Sequence, residues 1–446
     1  MPETFDLILK GGEIVNHAGR GMADIGVCAG RIAAIGDLAQ ANAGEVFNAR
    51  GLTILPGVID TQVHFREPGN THKEDLATGS RAAVLGGVTA VFEMPNTSPP
   101  TTTPAALADK VARATDRMHC DFAFYGGAAA ENADSLDVLE AQPGCCGIKI
   151  FMGSSTGNLL VAEDDLILRA LASGRRRVAV HAEDEPRLED RKPHRRKGDP
   201  ASHADWRDAE TALRATRRLL GLARRAGRRV HVLHVTTAEE MALLGANKDI
   251  ASVETTPQHL TLEAPDCYDR LGTLAQMNPP IRDARHRAAL WRAITDGRVD
   301  VIGSDHAPHT REEKAADYPD TPSGMPGVQT LLPLLLTHAA EGRLSLERVV
   351  DLTSHGANRL FGLRDTGRLA VGWQADFTLV DLNARWRVEE SWLASKCGWS
   401  PFTGMAMTGR PVATIIRGRT VMRDGEIPAP AGGRPLAFQE TIAAGG

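Results

Sequence analysis

The sequence predicts an α/β protein, with a parallel (β/α)8 barrel in the middle of the chain and a small β-sandwich domain built from both ends. Three observations support this prediction. Eight short apolar runs recur through the middle with helical segments between them, which is typical of a parallel barrel with helices outside. Both ends instead carry strand-like runs punctuated by Gly, Asn and Asp. Most of the eight runs also end in a residue type that can take part in catalysis.

The small domain is predicted from two separate parts of the chain. Near the N-terminus, strand patterns occur in "DLILKGGEIV", "ADIGVCAGRIAAIGD" and "GLTILPGVID". Near the C-terminus, similar patterns occur in "GRLAVGWQADFTLVDL" and "VATIIRGRTVMRDGEI". We therefore expect residues 1–54 and 367–446 to form the small β-sandwich, and residues 55–366 to form the barrel.

The eight barrel strands are predicted in the apolar runs of the middle segment. In chain order they are "LPGVIDTQVHF", "GVTAVFEMPN", "CDFAFYGGAA", "CGIKIFMGS", "RRVAVHAED", "RRVHVLHVTT", "IASVETTPQH" and "VDVIGSDHAPH". Helical segments such as "TPAALADKVARATDR" and "DAETALRATRRLLGLARRAG" separate several of them. A middle segment of this length lies within the range that TIM-like barrels cover.

Composition excludes several classes of protein. The 446 residues carry a net charge of −5, which does not favour nucleic-acid binding. No run approaches the roughly 18 apolar residues of a membrane span, and the N-terminus lacks a signal-peptide pattern. The six cysteines include no C-x-x-C pair, so we expect reduced thiols and a cytoplasmic protein.

Arginines concentrate between residues 169 and 229. They could form an anion or nucleic-acid patch, but the interleaved acids favour solvated helix faces.

Reactive residue types lie at or near the ends of the predicted strands. They are His64, Asn96, Lys149, His181, His234, His259 and Asp305. Barrel active sites gather at the carboxyl ends of the strands, and a random scatter of 15 histidines would not line up in this way. In "HVLH", His234 lies nearer the strand end than His231, so we expect His234 to face the barrel mouth and His231 to be structural. His306 and His309 are further candidates.

The stretch "DTQVHFREPG" places Gln62 and His64 two residues apart on a predicted strand, where they would point to the same face. A His-x-His pair there would bind a metal, but this chain has Gln in the first place. Asp305, in "GSDHAPH", could ligate a metal and shuttle a proton, or could simply cap a turn. Lys149 lies inside an apolar strand, where its amine should be paired, neutral or modified. A neutral amine can take up carbon dioxide and become an anionic carbamate, but the residue taken alone favours a buried ion pair with Asp or Glu.

The motifs "DTQVHFREPG", "MPNT", "GIKIFMGSSTGN", "HAED", "HVTT", "TTPQHL", "NPPIR" and "GSDHAPH" occur in this order. Together they resemble the dihydroorotases of the amidohydrolase superfamily over essentially the whole chain. The resemblance implies reversible cyclisation of N-carbamoyl-L-aspartate to dihydroorotate in pyrimidine biosynthesis. It also implies a small-molecule substrate. Histidine ligands together with a hydrolytic reaction lead us to expect zinc, with one or two ions in each chain.

The resemblance implies a role for each matching residue. His64 looks like a ligand of the more buried metal, Lys149 like a carboxylated bridging lysine, and His181 and His234 like ligands of the second metal. Asp305 looks like the metal-bound acid and base. The remaining matches look like substrate-carboxylate ligands: Arg66, Asn96 and His309, with Asn278 as a weaker candidate. An Arg suits fork-like recognition of a carboxylate, and we expect Arg66 to face the cavity from an extended strand end.

Gln62 departs from the family pattern, in which the position is His. Three interpretations follow: Gln62 ligates weakly, or contacts a metal-bound water beside a single tightly held metal, or the site is inactive. The alternatives to a dihydroorotase are another cyclic amidase, of hydantoinase, dihydropyrimidinase or allantoinase type, or a non-catalytic partner of aspartate transcarbamoylase. We expect a homodimer by base rate and expect neither nucleic acid nor membrane as a partner. The Gly- and Pro-rich segment "PSGMPGVQT" could be a mobile loop over the site or a simple connection.

Overall fold

The computed structural model describes residues 4–155 and 159–439, which form two eight-stranded sheets and their helices. Residues 156–158, at the end of the "GIKIFMGSSTGN" motif, lie outside the described residues. The strands are β1 (Thr4–Asn16), β2 (Gly19–Cys28), β3 (Arg31–Gly36), β4 (Asn42–Asn48), β5 (Thr53–Pro56), β6 (Val58–Val63), β7 (Val88–Glu93), β8 (Asp121–Gly127), β9 (Cys145–Phe151), β10 (Val178–His181), β11 (Val230–Val232), β12 (Ala251–Thr255), β13 (Val301–Ile302), β14 (Phe377–Arg387), β15 (Ala406–Ile416) and β16 (Arg419–Arg423).

The second sheet is the predicted barrel. Strands β6 to β13 lie side by side in chain order, and each adjacent pair is parallel. The barrel closes just beyond β13, where Val63 and His306 form a parallel bridge and the His64 amide donates to the His306 carbonyl at 2.7 Å. The predicted fold class is therefore confirmed, with a strand in each of the eight predicted runs.

Helices surround the barrel and complete its connections. They are α1 (Leu76–Leu85), α2 (Pro104–Ala114), α3 (Leu136–Glu140), α4 (Asp164–Ala172), α5 (Glu185–Arg191), α6 (His203–Trp206), α7 (Ala209–Ala226), α8 (Ala238–Gly245), α9 (Pro257–Thr261), α10 (Asp266–Leu271), α11 (Ala284–Thr295), α12 (Arg311–Lys314), α13 (Leu331–Ala340), α14 (Leu346–Val350) and α15 (Gly356–Phe361). Short 3-10 turns span Lys192–His194, Pro200–Ser202, Gly272–Ala275 and Glu390–Trp392, and a π-helical turn spans Asp351–His355.

The longest helix, α7, shows how the local sequence sets these boundaries. The Asp208 side chain caps its first turn by accepting from the Thr211 amide, and Gly227 ends it in the left-handed conformation with φ 64°. The apolar residues of α7, such as Leu219 and Ala223, are buried against the barrel, whereas its arginines largely face outward.

Alternation along the strands separates the two sides of the barrel wall. In β10, Val178 and Val180 belong to the core between strands and helices, whereas Ala179 packs with the residues of the barrel interior. His181 follows Ala179 by two positions, so it also points inward. This period of two carries side chains from the strand ends into the barrel mouth.

The first sheet draws its strands from both chain ends, as predicted. Its order is β16-β15-β14-β5-β1-β2-β3, with β4 also paired to β1. Its core includes Leu9, Ile54, Phe377 and Ile415. Strand β5 runs almost directly into β6, which joins the two sheets at the first barrel strand. The domain boundaries proposed from the sequence stay a prediction.

The six cysteines are all free thiols in the structure. Cys145 and Cys146 lie next to each other in β9 and do not bridge. Within residues 4–155 and 159–439, no helix is long and apolar enough to cross a membrane.

Candidate active site

A small cavity at the carboxyl ends of the barrel strands brings together nine of the ten site residues predicted from the sequence. Its lining includes Gln62, His64, Arg66, Asn96, Lys149, His181, His234, Asn278 and Asp305. The tenth residue, His309, lies behind Arg66 and does not line the cavity. The roles of these residues stay predictions, but their convergence agrees with an active site at this end of the barrel.

Gln62, His64 and Asp305 form one side of the cavity. The Gln62 Nε2 donates to Asp305 Oδ1 at 3.0 Å, and His64 Nε2 lies 3.3 Å from the same oxygen. The other polar atom of the Gln62 amide, Oε1, is buried and has no hydrogen-bond partner among residues 4–155 and 159–439. Gln62 therefore holds Asp305 through its nitrogen and leaves its oxygen as an available lone-pair donor.

Asn96 fixes the orientation of His64. His64 Nδ1 lies 2.8 Å from Asn96 Oδ1, an oxygen that can only accept. The proton of a neutral His64 ring therefore sits on Nδ1, and the lone pair on Nε2 faces Asp305. Burial lowers the pKa of His64, which keeps this ring neutral near pH 7.

His181 and His234 form the opposite pair. His181 Nδ1 lies 3.1 Å from His234 Nε2, and the buried Nδ1 of His234 has no hydrogen-bond partner in the part of the chain that the structure describes. Burial lowers the pKa of both rings, and that of His234 lies well below its usual value. Two neutral imidazoles whose ring nitrogens converge are suited to a divalent metal.

Glu183 and Arg207 support His181, and sequence reasoning did not identify them. His181 Nε2 donates to Glu183 Oε2 at 2.8 Å, and the same carboxylate oxygen accepts from the Arg207 guanidinium. Burial alone would raise the pKa of Glu183, but Arg207 and His181 lower it to about 2. A permanently ionised Glu183 holds the His181 proton on Nε2 and leaves the lone pair of Nδ1 toward the cavity. The "HAED" motif could have shown Glu183, two residues beyond His181.

Lys149 is buried on β9. Its Nζ makes no hydrogen bond or ion pair with any of the described residues, so the alternative of a buried ion pair with Asp or Glu is not supported there. Burial lowers the pKa of Lys149 to about 7. Its charge also acts on His64, His181 and His234, since it lowers the pKa of each ring. The amine therefore lies near both donor pairs.

Arg66 lines the cavity, although the reason given from the sequence was wrong. Strand β6 ends at Val63, and Arg66 adopts φ 63°, so it is not on an extended strand end. Its Nε donates to the Pro308 carbonyl at 3.2 Å, but the guanidinium has no ion pair within the described part of the chain. Burial lowers its pKa to about 10, so it remains charged.

His309 lies behind the cavity wall, next to Arg66, whereas Asn278 is part of that wall. His309 Nε2 donates to the Ser323 carbonyl at 3.0 Å, and its Nδ1 accepts from Lys73 Nζ at 3.1 Å. Asn278 lines the cavity, where its Nδ2 donates to Ser155 Oγ at 3.3 Å. In this arrangement His309 would not contact a substrate carboxylate directly. It would act on that carboxylate only through Arg66.

The other histidine candidates have structural partners. His231 lies between Ser252 and Glu254, at 2.8 and 3.3 Å. His259 donates to the Pro279 carbonyl from α9, and its other nitrogen contacts Thr256. His306 Nδ1 accepts from the Gly327 amide at 3.0 Å. This bond fastens the "PSGMPGVQT" segment, which favours a simple connection over a mobile loop.

Three cavity residues have unusual backbone conformations. Arg66, His234 and Asp305 adopt φ values of 63°, 37° and 45°. Non-glycine residues rarely adopt this left-handed region, and each instance costs on the order of 1 kcal/mol or more. All three lie just beyond barrel strands, where the unusual turn aims the side chain into the cavity.

The donor set fits a divalent metal ion. Among the described residues no three His, Cys, Asp or Glu side chains form one cluster. The cavity instead holds two pairs, His64 with Asp305 and His181 with His234. The charge of Lys149 lowers the pKa of the histidines in both pairs. Gln62 Oε1 and His234 Nδ1 have no hydrogen-bond partner among the described residues, so this part of the chain does not by itself satisfy the polar groups of the buried site.

Comparisons with known proteins agree with this site. The amidohydrolase family model matches residues 53–421. The chain is 41% identical over 384 residues to a dihydroorotase of Halobacterium salinarum, covering 85% of this chain and 89% of that protein. It is 34% identical to an allantoinase of Deinococcus radiodurans, covering 97% and 99%. An L-hydantoinase structure from Arthrobacter aurescens superposes with a TM-score of 0.92 at 32% identity, over 97% of this chain and all of the other.

Proposed function

The chain belongs to the amidohydrolase family, and we propose that it is a cytoplasmic dihydroorotase of pyrimidine biosynthesis. The family and the named relatives support a cyclic amidohydrolase. The choice of substrate rests on one observation, the buried guanidinium of Arg66 on the cavity wall.

Arg66 is suited to a substrate that brings its own carboxylate. A buried charge without a counter-ion is costly, and Arg66 as a whole residue is only 4% exposed. A carboxylate entering the cavity would supply that counter-ion and two parallel hydrogen bonds. Dihydroorotate and N-carbamoyl-L-aspartate both carry such a carboxylate, whereas hydantoin and allantoin do not. Arg66 therefore favours dihydroorotate over the substrates named for the other relatives.

We propose that His64, His181, His234 and Asp305 hold zinc, with Gln62 as an additional oxygen donor. Lys149 would bridge two ions as a carbamate, because its amine has a pKa of about 7 and is partly neutral when carbon dioxide reaches it. When bound, zinc lowers the pKa of water to about 7 and polarises an amide carbonyl.

The chain's own residues would then perform three tasks. Arg66 holds the substrate carboxylate and so fixes the position of the ring amide in the cavity. Asp305 accepts a proton from the attacking water and passes it to the leaving ring nitrogen. The Gln62 amide, bonded to Asp305 Oδ1, orients that carboxylate for both transfers. Cyclisation follows the same path in reverse.

The test is a substrate panel with the zinc-loaded chain and two variants. Dihydroorotate, hydantoin and allantoin are offered to the wild type, Asp305→Ala and Arg66→Met. We expect turnover of dihydroorotate that is abolished in Asp305→Ala. We expect Arg66→Met to lower kcat/KM for dihydroorotate at least about 30-fold, because a charged hydrogen-bonded pair is lost. Any slow hydrolysis of the uncharged rings should be unchanged in that variant.

Other outcomes of the same panel would identify the alternatives. Faster turnover of hydantoin or allantoin would make the chain a cyclic amidase of that type, as the allantoinase and L-hydantoinase relatives also allow. No turnover from a folded, zinc-loaded chain, alone or with aspartate transcarbamoylase, would refute the dihydroorotase proposal. Association with aspartate transcarbamoylase and a homodimer are further proposals, which co-purification and sedimentation would test.

A further inference from the structure

Lys73 lies behind the wall of the candidate active site and contacts His309. It belongs to the loop between β6 and α1, which also carries Arg66. Its ammonium donates to His309 Nδ1 at 3.1 Å and forms an ion pair with Glu313 Oε1 at 3.1 Å. His309 and Glu313 follow β13, so Lys73 ties the loop after the first barrel strand to the segment after the last one. Lys73 is not among the described residues that line the cavity.

Glu313 holds the Lys73 side chain in place. Its Oε2 accepts from the Thr310 amide at 3.0 Å in the capping box of α12, and its Oε1 faces the ammonium. The backbone of Lys73 is fixed as well, because its amide donates to the Asn70 carbonyl at 3.0 Å. The lysine is thus anchored at both ends, and its ammonium points at His309 in a fixed direction.

This contact determines where the His309 ring carries its proton. An ammonium has donors only, so the Nδ1 of His309 must accept. The proton of the neutral ring therefore sits on Nε2, which donates to the Ser323 carbonyl at 3.0 Å. Burial and the positive charges of Arg66 and Lys73 lower the pKa of His309, so the ring stays neutral.

The oriented ring supports two parts of the cavity wall. Ser323 and Gly324 line the cavity, and the Ser323 carbonyl receives the proton of His309 Nε2. On another side of the ring, Arg66 Nη2 lies 3.4 Å from the same nitrogen. Because Nε2 carries the proton, it offers no lone pair to Arg66. The ring therefore does not draw the guanidinium away from the cavity.

We propose that Lys73 is a positioning residue for the substrate carboxylate, because it fixes the His309 tautomer that keeps Arg66 available to the substrate. The inference rests on the proposed function, in which Arg66 holds the carboxylate of dihydroorotate. Without Lys73, His309 Nδ1 would face Glu313 Oε2, which lies 3.6 Å away and favours a proton on Nδ1. Nε2 would then present its lone pair to Arg66, or keep its proton in an imidazolium that repels the guanidinium. Either change weakens the hold of Arg66 on the carboxylate.

The test compares the zinc-loaded wild type with Lys73→Met and Lys73→Arg. Arginine is also a cation with donors only, so it can restore the contact with Nδ1. The matched control is Lys396→Met, because Lys396 ties the same loop through the Thr71 carbonyl and the Asp75 carboxylate instead of through His309. We would measure kcat and KM for dihydroorotate. Nitrogen NMR of the histidine-labelled chain would report the His309 tautomer, with its signals assigned by their loss in His309→Asn.

We expect Lys73→Met to raise KM for dihydroorotate about tenfold and to change kcat less, because a contact with the carboxylate is made before and during the reaction. Lys73→Arg should bring KM back to within about threefold of the wild type, and the control should leave it unchanged. NMR should place the His309 proton on Nε2 in the wild type and Lys73→Arg. In Lys73→Met it should lie on Nδ1 or on both nitrogens.

Several results would overturn the role of Lys73. A His309 proton on Nδ1 in the wild type would do so without any variant. An unchanged KM in Lys73→Met, an equal rise in the control, or no recovery in Lys73→Arg would also do so. A raised KM with unchanged His309 signals would mean that the lysine acts by its charge alone, against the proposal. A wild type that does not turn over dihydroorotate would instead refute the proposed function, and the substrate role of Lys73 with it.

Discussion

Removing the Glu183 carboxylate that accepts from His181 should weaken metal binding, although Glu183 is not itself a proposed metal ligand. The perturbation is the replacement of Glu183, which accepts from His181 Nε2 at 2.8 Å. Replacing Glu183 alone would leave the charge of Arg207 buried and unpaired, which costs roughly 3–5 kcal/mol of stability. We therefore choose two double variants, Glu183→Met/Arg207→Met and Glu183→Gln/Arg207→Met, in which no buried charge is stranded.

The expected magnitude follows from the tautomer of His181. In the methionine pair no oxygen holds the proton on Nε2, so the ring can place its proton on Nδ1, the nitrogen that lies 3.1 Å from His234. Loss of such a partner typically lowers metal affinity about 10- to 100-fold. In the glutamine variant an amide oxygen can still accept from Nε2, so we expect a smaller loss.

The assay is a competitive zinc titration against a fluorescent chelator, with thermal unfolding measured in parallel. Glu189→Gln, an exposed change on α5, is the control for loss of a carboxylate. Equal zinc affinity in the methionine pair and the wild type would refute the orienting role of Glu183. So would equal losses in the methionine and glutamine variants, since a role in packing alone would not depend on an acceptor oxygen.

Three further predictions concern the same site. Gln62→His should raise zinc affinity about tenfold or more, because an imidazole nitrogen replaces a neutral amide oxygen, and an unchanged affinity in the chelator titration would show that position 62 is not a ligand. Lys149→Met should lose zinc and activity, and native mass spectrometry should find the wild type, but not this variant, heavier by one carbon dioxide. The pKa of Glu183, about 2 when folded and about 4.5 when unfolded, gives stability that is complete above pH 4.5 and is lost as the pH falls toward 2. Between pH 6 and 4 the wild type should therefore lose about 0.8 kcal/mol more unfolding free energy than Glu183→Met/Arg207→Met, and parallel curves would contradict this.

The fold and most of the site could be predicted because both leave a local pattern in the sequence. Each barrel strand is a short apolar run, and Asn96, His181, His234 and Asp305 lie at or just beyond strand ends, where a parallel barrel must bring them together. The contacts between distant segments left no such pattern. Nothing near Glu183 indicates that Arg207 will reach it.

Backbone conformation was the other limit of sequence reasoning. Arg66 was placed on an extended strand end, but strand β6 stops at Val63 and the chain turns through a left-handed residue at Arg66 itself. Only glycine adopts this region freely, so an arginine there gives no signal in the sequence. The residue reaches the cavity through this turn and not through strand alternation.

Several features of the cavity that destabilise the fold bear on the three interpretations of Gln62. Arg66, His234 and Asp305 each keep a left-handed backbone, and Lys149 and Arg66 are each buried without an ion pair among the described residues. These features destabilise a fold, and they serve a site that binds something. A scaffold without chemistry gains nothing from them. Gln62 itself keeps a bond to Asp305 and an unpartnered oxygen inside the cavity. The arrangement therefore favours a working site in which Gln62 orients the Asp305 carboxylate and offers an oxygen in the place of a histidine nitrogen.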